Sequence, residues 1–224
     1  MPYYYGFDWT YIILVLPCLI LSMWASSSVK STFNRYSTQY SSRRITGADA
    51  AQRVLRNNGV HNVRIERVAG NLTDHFDPKT NVIRLSDGVY DSTSTAAIGV
   101  ACHEAGHAVQ HARAYAPLTL RSKLVPVVQF SSNIVSWVLL AGILLLESFP
   151  QLLLAGIILF ATTTLFSFIT LPVEINASKR ALVWLNASGI TNAYNHDKAE
   201  DALRSAAYTY VVAALGSLAT LIYY

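Results

Sequence analysis

Hydrophobic positions along this chain follow two regimes. In four stretches they run almost unbroken: residues 9–25 (WTYIILVLPCLILSMWA), 124–146, 151–171 and 206–224. Each comes near the ~20 residues that a helix needs to cross a bilayer. Only ESFP separates the second run from the third, so these two are predicted to form an antiparallel hairpin. Pro17 in the first run is tolerable in a lipid-embedded helix. No basic segment precedes that run, and the residues after Trp24 make a weak cleavage site, so it reads as a retained span and not a signal peptide.

Between the runs, hydrophobic residues recur at intervals. In 41–60, Ala50, Val54 and Leu55 mark the apolar side of a short helix, with Thr46 as its cap, Asp49 in its first turn and Gly59 past its end. In 62–70, Val63, Ile65 and Arg67 alternate with Asn62, Arg64 and Glu66, which suits a half-buried strand. Residues 81–86 (NVIRLS) read as a second strand, and 71–80 as a turn-rich link with a turn at Asp77-Pro78. A helix is then predicted from Ser92 or Ser94 to about Arg113. There is no internal repeat. The predicted architecture is a mostly α integral membrane protein with four transmembrane helices and a small α+β region containing a short β-sheet. Its parts are a first helix (1–25), the α+β region (26–123), the hairpin (124–171), a helix plus polar linker (172–205) and a last helix (206–224).

Composition agrees: 13% of the 224 residues are charged and the mean hydropathy is +0.32, whereas soluble domains carry about 25% charge. Thirteen of the 17 Lys and Arg lie between Lys30 and Lys123, and four between Lys179 and Arg204. With four spans these regions share one face, which the positive-inside rule makes cytoplasmic, with both termini outside. A multi-pass protein of the cell membrane is expected. The basic surplus reads as a solvated surface touching phospholipid; no aromatic-interleaved patch argues for nucleic acid. Cys18 and Cys102 give no disulfide framework.

One stretch carries chemistry. AAIGVACHEAGHAVQHA (96–112) contains H-E-x-x-H. On a helix, His103 and His107 lie one turn apart on one face, where two imidazoles chelate one divalent metal. Glu104 can take a proton from a water that the metal activates, which is the chemistry of zinc-assisted hydrolysis. Ala105 and Gly106 would let another backbone approach. A chance occurrence is expected on the order of a few times per thousand such chains. A catalytic zinc takes three protein ligands and keeps one open position. His111 continues the same helix and cannot complete a tetrahedron with the other two, so it reads as a surface or supporting residue. The acidic candidates are Asp74, Asp77, Glu174, Asp197, Glu200 and Asp201. Pro172 suggests a helix starting just before Glu174. On it, Glu174, Ala177, Ser178, Ala181 and Leu185 share a face. Two readings of Glu174 stay open here: a metal ligand, or a helix N-terminal acid favoured by the macrodipole. His75 reads as a loop residue, and Asp197, Glu200 and Asp201 as an exposed polar linker.

GNLTDHFDPKTNVIRLSDGVY, AAIGVACHEAGHAVQHA and LPVEINASKRALVWL strongly resemble the YugP-type membrane zinc metallopeptidases of bacteria. The likeness extends through KSTFNRYS, TGADAA and LRSKLVPV. More distantly the arrangement is similar to the membrane-bound gluzincin proteases of the HtpX kind, whose third ligand is a Glu in an E-x-x-A-D helix. The resemblance implies a zincin-like catalytic region and Glu174 as that ligand, in Glu174-Ile-Asn-Ala177-Ser178. Ser178 stands where the family has Asp, and would orient a ligand weakly. Arg180 and His75 become candidates for stabilising an oxyanion. Residues Asn81, Val82, Ile83, Arg84, Leu85 and Ser86 occupy the place of the edge strand that holds substrate by β-addition.

The expected function is a zinc-dependent endopeptidase at the cytoplasmic membrane surface, with one Zn2+ per chain and Glu104 as general base. Its partners would be a protein or peptide substrate, membrane proteins among the candidates, and the lipid bilayer. The alternative is a non-catalytic zinc-binding membrane adaptor, which predicts a closed site recruiting His111 or Cys102. A transporter is disfavoured because the spans hold no buried ionisable residue.

Overall fold

The computed structural model describes residues 9–41, 44–192 and 195–224. Four long helices dominate: α1 (Trp9–Ser37), α5 (Ala116–Leu144), α6 (Pro150–Ala187) and α7 (His196–Tyr223). Each contains one apolar run and is long enough to cross a membrane. The first eight residues of the predicted 1–25 segment lie outside the described residues. Between α1 and α5 come α2 (Gly47–Asn57), β1 (Arg64–Val68), β2 (His75–Asp77), β3 (Val82–Ser86), α3 (Asp87–Tyr90) and α4 (Thr95–Ala112).

Local chemistry explains the element ends. Thr46 and Asp49 form a capping box at the start of α2, and Gly59 turns the chain after it with φ 71°. Ser94 caps α4 by accepting from the Ala97 amide at 3.2 Å. Asp77 opens the β2–β3 turn by accepting from the Lys79 amide (2.9 Å) and the Thr80 hydroxyl (2.7 Å). These donors hold its carboxyl down at about 2.

The sheet order is β1-β3-β2, with β1 parallel and β2 antiparallel to β3. β3 is therefore the central strand. The β-addition expected at 81–86 finds no free edge there, because Val82 to Ser86 are flanked on both sides and Asn81 lies in the turn with φ 53°. The strand missed in the turn-rich segment, β2, takes an outer position. Three residues are too few to show a period.

The core joins α2, β3, α4 and the upper part of α6: Leu55, Ile83, Leu85, Ile98, Val109 and Leu185 are fully buried. Gly106 fixes how closely α4 approaches α6, since a Cβ there would come within 3.1 Å of the Ala177 carbonyl oxygen. The hairpin is equally close, with Gly142 of α5 against the backbone of Leu153.

Two expectations are corrected. No new helix starts at Pro172, because α6 runs unbroken from the third apolar run through Glu174. A proline inside a helix costs about 3 kcal/mol. Breaking the helix at the bilayer edge would strand several backbone groups, each costing several kcal/mol in lipid. Nor is 197–201 a linker. It forms the first turns of α7, where Ala199, Ala202 and Leu203 are buried and Asp201 accepts a hydrogen bond from Tyr36 of α1 at 2.9 Å. An apolar face built largely of alanine is faint in sequence.

Candidate metal centre

α4 is buried along most of its length and presents His103, Glu104 and His107 on the side facing α6. α6 meets it there with Glu174, which is 3% exposed. The ligand-capable atoms form a small triangle. His103 Nε2 lies 3.1 Å from His107 Nε2 and 3.3 Å from Glu174 Oε2, and His107 Nε2 lies 3.4 Å from the same oxygen. Among the described residues these three form a group fit to hold a metal.

The donors fit zinc. Zinc bonds of 2.0–2.2 Å in a tetrahedron place ligand atoms about 3.3–3.6 Å apart, close to the three edges seen here. The tautomer fits as well. Gln110, 1% exposed, donates from Nε2 to the Val173 carbonyl (2.9 Å) and to Asn176 Oδ1 (3.0 Å). That fixes its amide, so its Oε1 can only accept from His107 Nδ1, 3.0 Å away. His107 therefore carries its proton on Nδ1 and turns an Nε2 lone pair into the triangle. His103 Nδ1 lies 3.0 Å from Ser178 Oγ; donating to that hydroxyl leaves its Nε2 lone pair inward too. Two inward lone pairs beside a carboxylate call for a cation. The same field acts on protons: burial pushes the His107 imidazole down, and the neighbouring Glu174 and Glu104 outweigh it and hold it up.

A cleft opens on each side of the triangle, and His103, Glu104, Glu174, Asp74 and Tyr210 line both halves. One half, of about 650 Å³, is walled by β2 and the start of α5, including His75, Arg121 and Val125. The other, of about 410 Å³, lies between α1 and α7. Glu104 is thus beside the ligands and faces open space.

The remaining candidates sort by position. Ser178 contacts a ligand imidazole. His75 lines the larger half and is held to its own loop by the Thr73 carbonyl at 2.8 Å. Arg180 departs from expectation: its Nε donates to Asn176 at 2.8 Å, and it lines neither half of the cleft. Asn176 is thereby held from two sides, by Arg180 and Gln110. Arg121 comes within 3.6 Å of Glu174 Oε1, while Lys30 and Lys79 line the smaller and the larger half of the cleft. His111 is at the surface against Phe76. Cys102 is fully buried, and burial pushes its thiol up to about 12, so it offers no thiolate. Asp74 binds the amide and hydroxyl of Ser86, and burial raises its pKa. Asp77 is committed to its turn and to Arg84 at 3.2 Å.

Gln110, Asn176, Arg121 and Tyr210 were not singled out from sequence. Gln110 was legible in principle, because it stands three residues after His107 on the same helix face. The others depend on how α5, α6 and α7 meet.

The comparisons with known proteins agree. Residues 11–224 match the model of a family described as "Putative neutral zinc metallopeptidase". The chain is 45% identical over 208 residues to "Putative membrane protease YugP" of Bacillus subtilis (strain 168), covering 93% of this chain and 92% of that protein. No solved structure matches.

Proposed function

The chain belongs to the neutral zinc metallopeptidase family, and on that premise we propose that it is a membrane endopeptidase that uses one zinc ion per chain. The observation that carries this reading is the His103, His107 and Glu174 triangle, open to a cleft with Glu104 at its side.

A zinc ion held by these three residues would supply Lewis acidity, polarising the scissile carbonyl and acidifying the attacking water. Glu104 would take the proton from that water as the new C–O bond forms, and then deliver it to the leaving amine as the C–N bond breaks. Gln110 and Ser178 would hold the two imidazoles in their ligating tautomers. Arg121, beside Glu174, would help neutralise charge that develops in the cleft. An extended substrate would lie along β2, the strand that borders the larger half of the cleft.

The distribution of Lys and Arg supports a cytoplasmic site with both termini outside, and the substrate would be a protein or peptide, membrane proteins included. The test is Glu104→Gln in detergent-purified protein, with hydrolysis of an unfolded protein such as casein as the readout. We expect zinc to stay at the wild-type level and turnover to fall by about 10²–10⁴. Retained turnover would overturn the role of Glu104.

A further inference from the structure

The depth of the metal centre can be read from the register of the long helices. α1 and α7 run antiparallel: the Tyr11 ring packs tilted against Tyr223, Cys18 meets Gly216 and Tyr36 donates to Asp201. α5 and α6 are in register through Ser131 and Thr162. At the triangle's own level stand Tyr210 of α7, which interacts with Glu174, Ser26 of α1, which the antiparallel register sets opposite Tyr210, and Arg121 of α5, which contacts Glu174; the cleft wall on α1 continues upward from Ser26 through Val29, Lys30 and Phe33. All four positions lie at the ends of apolar runs. Ser26 directly follows 9–25, Glu174 comes three residues after 151–171, Arg121 three before 124–146, and Tyr210 four residues inside 206–224. The centre is thus within about one helical turn, ~5 Å, of where every run meets polar chain.

Two belts fix the layer further. Trp24 (57% exposed) and Tyr208 (44%) turn outward close to this level, as aromatic residues do at the headgroup boundary. The next cations lie farther from the bilayer: Lys30, Lys179 and Arg204 stand four, five and six residues beyond Ser26, Glu174 and Tyr210, or about 6–9 Å along a helix. On α5, Arg121 and Lys123 are at the level itself: Arg121 is turned to Glu174, and the exposed Lys123 has a stem long enough to reach up to the same layer. Along α1, α6 and α7 the candidate ligands thus lie on the bilayer side of these cations, with Lys30 at the upper wall of the smaller cleft half; with the cations at lipid phosphate, as basic residues flanking spans are, the ligands fall at headgroup depth.

We infer that the substrate is a polypeptide anchored in the same bilayer, cut where its own apolar run ends; this rests on the protease reading above. A soluble chain would have to push its backbone into the headgroup layer to reach Glu104. An anchored chain already presents its last apolar residues at that depth, at the high effective concentration a tether gives. The 6–9 Å between the cation layer and the ligands spans about two to three extended residues at ~3.3 Å each. The cut bond then lies about that many residues to the bilayer side of the substrate's flanking charges. The smaller half of the cleft, between α1 and α7, suits the apolar side chains next to that bond, with Val29, Phe33, Leu203 and Ala206 in its walls.

The experiment uses full-length, zinc-loaded wild-type protein in liposomes with a single-span polypeptide. Its exposed arm carries a random polar sequence of about 30 residues, roughly 100 Å when extended. Cut sites are mapped by mass spectrometry, and the same arm is also supplied as a free peptide. We expect cuts to cluster within about four residues of the span, and the free arm to be cut at least ~10-fold more slowly. Cuts spread evenly along the arm, or a free arm cut as fast as the anchored one, would overturn the inference while leaving the protease reading intact. A zinc-loaded protein that cuts neither would overturn the protease reading and this inference with it.

Discussion

The two halves of the metal centre are held by different solvents. His103 and His107 belong to α4, a helix enclosed by protein, with Ile98, Ala101, Ala105 and Val109 buried around them. Glu174 belongs to α6, whose other end is an apolar run with Leu154, Ile158 and Leu165 exposed on the described protein, a surface suited to lipid. One half lies wholly within a core that excludes water; the other belongs to a helix that shares this core through Ala181 and Leu185 and continues into an apolar run. They meet where Gly106 lets the Ala177 backbone in. A site divided this way depends on α4 and α6 keeping their contact.

The strongest way to break the joint is to wedge it. Gly106→Val places a branched side chain against Ala177, where even one Cβ is tight. We expect zinc content and proteolysis to be lost together, with the helix content retained by circular dichroism. Wild-type zinc in that variant would show that the two helices tolerate separation.

A smaller perturbation acts on one half alone. Gln110→Leu removes the acceptor of His107 Nδ1 and leaves the α4 backbone in place. Loss of a partner that orients a metal ligand costs about 10- to 100-fold in metal affinity, read by competition with a chelator. Ser178→Ala should cost less, because one hydroxyl orients an imidazole less firmly than an amide held at three points.

How much of this was legible follows from what each contact depends on. H-E-x-x-H marks two candidate ligands and a candidate base through spacing on one helix, which a sequence displays directly. The four spans are legible because lipid demands unbroken apolar runs. Thr46 and Ser94 announced their helices by local capping. Glu174 was ambiguous on residue pattern alone, because His103 and His107 lie 67 to 71 positions away on another helix; the family resemblance favoured the ligand reading. β2 was hidden because its order comes from pairing with β3 and not from its own three residues. The free edge expected at 81–86 was lost for the same reason, because β2 covers that side of β3. Arg180 looked suited to the cleft by charge, and its orientation was set by Asn176 one turn away.

The smallest expected effect lies outside the joint. The Thr80 hydroxyl and the Lys79 amide hold the Asp77 carboxyl at about 2, below its ordinary 3.8. A lowered folded-state value means that the contribution is complete above about 4 and disappears as pH falls toward 2. Asp77→Asn should therefore flatten the pH dependence of thermal unfolding between pH 4 and 2, leaving the zinc content at neutral pH unchanged. An unchanged acid profile would remove Asp77 from the stability of the β2–β3 turn.

The meeting of the two halves is tested most directly by zinc per chain, measured by elemental analysis on detergent-purified wild type and Glu174→Ala side by side. The account predicts one zinc per wild-type chain and far less in the variant, although both histidines of α4 remain. Full zinc in Glu174→Ala would contradict it, since the metal would then be held without α6.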